Sequence, residues 1–122
     1  MNILLVDDEA QIRDVFRLVL ETNGYYVHEA ANGKDALEVL HKGSIDLVIT
    51  DLNMPIMDGL ALITRMVTEY PLTRVLVVSA DEGALEEISW FRLVTRLSGF
   101  DKMRKPLMIR ELLRKVEKLL AA

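Results

Sequence analysis

Four short segments of this 122-residue chain end in residue types suited to phosphoryl chemistry: Asp7-Asp8, Asp51, Ser79-Ala80 and Lys105-Pro106. Three carboxylates brought into one small pocket cannot all stay ionised without help, so either their pKa values rise or a cation neutralises them. An all-oxygen cluster with no His or Cys favours a hard divalent ion, Mg2+ before Ca2+. Lys105 adds an ammonium and Ser79 a hydroxyl. A carboxylate beside such groups is placed to attack phosphorus, because cations stabilise charge on the transferring phosphoryl oxygens. Asp51 is the candidate nucleophile.

These residues meet only if the chain folds so that the segments before them end side by side. Short apolar runs alternate with longer segments of helical period. The strand candidates are Ile3–Val6, Tyr26–Ala30, Leu47–Thr50, Arg74–Val78 and Phe100–Arg104. Ile3–Val6, Leu47–Ile49 and Val75–Val78 are continuously apolar, as expected of central strands in a parallel sheet covered on both faces. Ile12, Val15, Phe16, Val19 and Leu20 repeat at helical spacing, with Gly24 placed to stop the helix. Ala36, Leu37 and Leu40 mark a second helix. Leu60, Ile63, Met66, Val67 and Tyr70 mark a third, ending against Pro71. The last helix carries Ile109, Leu112, Leu113, Val116, Leu119 and Leu120.

Five βα units in so short a chain predict a single α/β domain over residues 1–122, an open doubly wound sheet with right-handed crossovers and helices on both faces. Ligands of such sheets bind at the carboxyl ends of the strands, where Asp7-Asp8, Asp51, Ser79 and Lys105 all fall. Neighbouring strands lie about 4.8 Å apart, so the three aspartates share a pocket if the first and third strands are adjacent.

In this order and at these strand ends, the residues resemble the response-regulator receiver family of two-component signalling. The resemblance is carried by Val6-Asp7-Asp8-Glu9, by the segment from Asp51 to Gly59 (Asp-Leu-Asn-Met-Pro-Ile-Met-Asp-Gly), by Ser79-Ala80 and by Lys105-Pro106. It implies a flavodoxin-like (βα)5 fold with sheet order 2-1-3-4-5, which supplies the adjacency of the first and third strands. It further implies that Asp51 accepts a phosphoryl group and that Asp8 and Asp51 bind Mg2+ directly. Asp7 would act mainly through water, and the Asn53 carbonyl would be the third protein ligand. Ser79 would hydrogen-bond a phosphoryl oxygen and Lys105 pair with another, drawing the loop after the fourth strand inward. The bond before Pro106 would be cis, and Gly59 would permit a tight turn before the third helix. A histidine kinase or phosphotransfer protein would be the phosphodonor.

Between Ser79 and Lys105 the chain departs from the commonest family pattern. Many members carry an aromatic switch residue three positions before the lysine, where this chain has Lys102. A fourth helical segment contains Ile88, Trp90, Phe91, Leu93, Val94 and Leu97, spread too widely for one narrow buried stripe. The face formed by this helix, the fifth strand and the last helix, α4-β5-α5 in chain order, is the candidate surface for a downstream protein, an output domain or a phosphorylation-linked dimer.

Composition narrows the alternatives. Fifteen Lys and Arg against 19 Asp and Glu give a formal net charge of −4, with no overall field to attract nucleic acid or an anionic membrane. There is no cysteine, which excludes disulfides and thiolate metal sites. No apolar run approaches the roughly 20 residues that span a bilayer, and a cytoplasmic location is expected. Taken singly, Asp7-Asp8-Glu9 reads equally as a helix N-cap, Pro55, Asp58 and Gly59 as turn chemistry, Ser79 as a cap and Lys105 as a solvated charge. Together these readings leave unexplained why all the groups end at one edge of the sheet. His28 and His41 have no partner at ligand spacing, and Met54, Met57 and Met66 read as core or loop filling. Two functions compete with the switch: a small Mg2+-dependent phosphatase using an aspartyl-phosphate intermediate, and a phosphorylation-independent adaptor. The first lacks a general acid two residues after Asp51, where Asn53 stands. The second has no need of the whole site. A nucleotide-binding domain is disfavoured, since neither G-x-G-x-x-G nor G-x-x-x-x-G-K-[ST] occurs.

Overall fold

Apolar runs of four to six residues that are buried on both faces can satisfy their backbone only in a ladder, and the chain builds one. In a computed structural model, which describes residues 1–81, 83, 85–87, 99–105 and 108–121, five strands form one sheet. They are β1 (Asn2–Val6), β2 (Tyr26–Ala30), β3 (Leu47–Thr50), β4 (Arg74–Ser79) and β5 (Phe100–Arg104). All pairings are parallel and the order is β2-β1-β3-β4-β5, as the family resemblance implied.

The helices are α1 (Ala10–Thr22), α2 (Gly33–His41), α3 (Gly59–Glu69) and α5 (Ile109–Ala121). Gly83 and Leu85–Glu87 are also helical, at the start of the expected α4. The apolar residues from Ile88 to Leu97 that marked that helix, and Pro106, lie outside the described residues.

Alternate side chains of each strand enter opposite cores. Leu4, Val6, Val48, Val75 and Val77 pack with Ala36, Leu37 and Leu40 of α2 and with Leu62, Ile63 and Met66 of α3. Ile3, Leu5, Leu47, Ile49, Leu76 and Val78 pack with Leu20 of α1 and with Leu112, Val116, Leu119 and Leu120 of α5. Met66 is fully buried, and Met54 and Met57 pack against the first core, in line with a filling role.

Helix ends follow the sequence signals. Gly24, at φ 89°, follows the C-cap Asn23 of α1, and α3 stops at Glu69 with Tyr70 out of helical geometry before Pro71. One expectation is only partly met. Val15, one of the apolar residues at helical spacing in α1, is exposed, as are Leu60 in the first turn of α3 and Ile109 at the start of α5. The apolar stripe of α1 is wider than its contact with the sheet, and Ile109 stands in the first turn of α5.

Candidate functional site

Strand register decides which polar residues meet. Val6 of β1 stands opposite both Ala30 of β2 and Thr50 of β3, so Asp7 and Asp51 leave adjacent strands at the same level. Two hydrogen bonds continue the ladder: the Asp51 N–H donates to the Val6 carbonyl at 3.0 Å, and the Asp7 N–H to the Ala30 carbonyl at 3.2 Å. On the other side, Ser79 pairs with Arg104, and the Lys105 N–H donates to the Ser79 carbonyl at 3.0 Å. Lys105 is thereby aimed from beyond β4 toward the first and third strands.

Its ammonium reaches both carboxylates, donating to Asp51 Oδ2 at 2.9 Å and to Asp7 Oδ2 at 3.1 Å. Asp7 and Asp51 are 6 and 9 % exposed, which makes this a largely desolvated contact and not a surface ion pair. Burial pulls the Lys105 pKa down, but hydrogen bonds to Asp51 and Asp7 and the attraction of both charges outweigh it, and the net shift is upward. Lys105 therefore stays protonated at neutral pH.

Asp8 is exposed, and carboxylate oxygens of Asp7, Asp8 and Asp51 lie within 4.8 Å of one another. Among the described residues, the Lys105 ammonium is the one cation paired with the carboxylates of Asp7 and Asp51, so three carboxylates face one ammonium beside an open side at Asp8. That donor set, all oxygen and partly exposed, fits a hard divalent cation that retains water. The remaining carboxylate oxygens are held by the main chain: Asp7 Oδ1 accepts from the Glu9 N–H at 2.9 Å and Asp51 Oδ1 from the Asn53 N–H at 3.2 Å. The Asn53 backbone thus adjoins the Asp51 carboxylate.

The competing local readings divide. The N-cap residue of α1 is Glu9, whose side chain makes no capping hydrogen bond, and Asp7 gives one oxygen to the Glu9 N–H while its other oxygen stays on Lys105. Asp58 does cap α3, accepting from the Ala61 N–H at 2.8 Å. Ser79 is fully buried, and its Oγ accepts from the Asp81 N–H at 3.1 Å, which leaves its own proton available. His28 bonds Asn2 and His41 bonds Tyr70, both away from the acidic cluster, as a structural role requires.

The turn between β3 and α3 is shaped by two unusual backbone positions. A Cβ on Gly59 would stand 2.0 Å from the Asp51 carbonyl oxygen and 2.8 Å from Leu52 Cα, so only glycine allows this approach. Ile56 lies at φ 70°, a left-handed conformation rare for a β-branched residue, with its side chain exposed. Two site neighbours escaped the sequence reading: Thr50, whose Oγ1 donates to the Asp51 carbonyl at 2.8 Å, and Arg13, which donates to the Asp7 carbonyl. Their partners are main-chain oxygens, which leave no pattern in a single sequence.

The family model "Response regulator receiver domain" matches residues 3–117. The chain belongs to this family. Receiver domains belong to two-component systems, where they take a phosphoryl group from histidine kinases and act on output domains, and they bind Mg2+ at an acidic pocket. Among curated relatives of this receiver, the transcriptional regulatory protein SrrA of Staphylococcus aureus is 32% identical over 120 residues, 98% of this chain. The receiver spans about half of that relative, 47% of its length. A CheY-like receiver protein from Methanospirillum hungatei superposes with a TM-score of 0.87 at 28% identity, covering 98% of this chain and 93% of the other. The response regulator TrrA from Thermotoga maritima, solved in complex with Mg(2+)-BeF, gives 0.86 at 30% identity, covering 98% of both chains. Among the described residues, no helix is long and apolar enough to cross a membrane.

Proposed function

We propose that residues 1–122 act as one phosphorylatable switch in which Asp51 accepts a phosphoryl group from a histidine kinase or phosphotransfer protein in the cytoplasm. The observation that carries this reading is the Lys105 ammonium held between Asp51 and Asp7, with Asp8 completing an acidic cluster on the open side. Bound there by Asp8, Asp51 and the Asn53 carbonyl, with Asp7 acting through water, Mg2+ would neutralise charge on the incoming phosphoryl oxygens. An Asp51 carboxylate oxygen attacks phosphorus, the bond from phosphorus to the donor nitrogen breaks, and the donor imidazole leaves. Lys105, already charged and in place, pairs with one oxygen of the new acyl phosphate. The Ser79 hydroxyl donates to another. Because the same Oγ accepts from the Asp81 N–H, a shift of the hydroxyl toward the phosphoryl group would pull on the Asp81 main chain and link modification of Asp51 to the start of α4. The downstream effect then passes through the α4-β5-α5 face to an output domain, a partner protein or a second copy.

Intact-protein mass spectrometry with a small phosphodonor tests this reading. A single adduct of about 80 Da, dependent on Mg2+ and lost in Asp51→Ala, is the expected result. Folded, Mg2+-binding protein that gains no adduct would redirect the function to a phosphorylation-independent adaptor, and multiple turnover of a phosphate ester would redirect it to a phosphatase.

A further inference from the structure

Arg13 stands on α1, outside the acidic cluster and its lysine, yet its hydrogen bonds lead into the site. Its Nη1 donates to the main-chain carbonyl of Asp7, the residue whose carboxylate meets Lys105. Its Nε donates at 3.0 Å to Glu29 Oε1 on β2. Arg17, one turn further along α1, bonds the other oxygen of Glu29 and donates through Nη2 to the Val27 carbonyl at 2.8 Å. Glu29 is therefore held from two sides and fixes Arg13 in turn. The Arg13 side chain is only 17% exposed, and together with Asp7, Thr50 and Asp51 it lines a small pocket beside the strand ends.

The peptide plane that carries the Asp7 carbonyl also carries the Asp8 N–H. Holding that oxygen sets the direction in which the chain leaves β1, and with it where the Asp8 carboxylate stands relative to Asp7 and Asp51. We propose that Arg13, clamped by Glu29, is a positioning residue for the divalent-cation pocket, holding the Asp7–Asp8 peptide so that the acidic cluster is arranged before Mg2+ arrives. The inference rests on the Mg2+-dependent reading of the site given above.

Electrostatics makes the sign of the effect diagnostic. A guanidinium near a cation pocket opposes metal binding through repulsion, so removing its charge should tighten binding if charge were all it contributed. Removing a group that orients a ligand loosens binding, by about tenfold in comparable metal sites. Arg13→Lys separates the two again, since lysine keeps the charge but lacks the fork that serves Asp7 and Glu29 together.

The experiment is calorimetric titration of the whole chain with Mg2+, without phosphodonor, for the wild type, Arg13→Met, Arg13→Lys and Arg17→Met. Expected are a loss of affinity of about tenfold for Arg13→Met, a loss of the same sign for Arg13→Lys, and a change within about twofold for Arg17→Met, which perturbs Glu29 without touching Asp7. In phosphorylation assays the half-saturating Mg2+ concentration of the Arg13 variants rises, while the rate at saturating Mg2+ stays near that of the wild type. Unchanged or tighter binding in Arg13→Met overturns the proposal, as does unchanged binding in Arg13→Lys should the Met variant fail to fold. A wild type that binds no Mg2+ overturns the reading of the site itself, and the role of Arg13 with it.

Discussion

At the scale of single residues, Lys105 answers for two buried carboxylates at once. Lys105→Met leaves Asp7 and Asp51 without the ammonium that bridges them, so the apo protein should lose about 3–5 kcal/mol. Mg2+ should restore part of that loss by replacing the missing charge. Urea unfolding with and without Mg2+ reads both effects, and equal losses under the two conditions would contradict the pairing. The pH dependence follows from the upward shift of Lys105. A group whose folded pKa is raised stabilises fully below its unfolded value and loses that contribution as pH rises through the folded one. The Lys105 contribution should therefore persist through neutral pH and fade only on the alkaline side of the ordinary lysine range. Ile56 supplies a prediction of the opposite sign. Its left-handed backbone costs energy that its exposed side chain does not recover, so Ile56→Gly should raise stability by about 0.5–1 kcal/mol, readable as an increased urea midpoint.

At the scale of elements, the β3-to-α3 turn couples fold and site. Gly59 donates its N–H to the Leu52 carbonyl at 2.9 Å and leaves no room for a Cβ against the Asp51 backbone. Gly59→Ala should therefore displace Asp51, costing more than about 2 kcal/mol and lowering the rate of Asp51 phosphorylation together with stability. Asp58→Ala, one residue earlier, removes only the cap of α3. It should cost about 1 kcal/mol in thermal or urea unfolding and leave the phosphorylation rate near that of the wild type. The contrast between these adjacent substitutions separates a backbone that positions the nucleophile from a side chain that ends a helix. Met57 ties the same turn to α2, since the Gly33 N–H donates to the Met57 carbonyl at 2.9 Å. The loop carrying Ile56 is thus braced at both ends.

At the scale of the whole molecule, binding Mg2+ only in the folded state must stabilise that state. Raising Mg2+ should increase the melting temperature of the wild type, and Asp51→Ala should shrink that shift by removing one ligand. No Mg2+ dependence in the wild type would argue against the acidic cluster as a cation pocket. The architecture behind the pocket was legible in the chain, because continuous apolar runs such as Leu47–Ile49 can be buried only between two layers of helices. Polar residues that follow such runs must emerge at the strand ends. Asp7, Asp8, Asp51, Ser79 and Lys105 were therefore identifiable by residue type and position, and their order resembled one family. Sequence alone did not reach the contacts that depend on neighbours distant in the chain. The span of Lys105 across both carboxylates needs the β4-β5 register, and the fit of Gly59 against Asp51 needs the path of the turn. The reach of Arg13 to the Asp7 carbonyl needs α1 seated beside β2, where Glu29 holds it. Local pattern and periodicity determined which elements form and which residues end them. Tertiary packing decided what those ends touch, because strand register and helix placement bring together groups as far apart as residues 7 and 105.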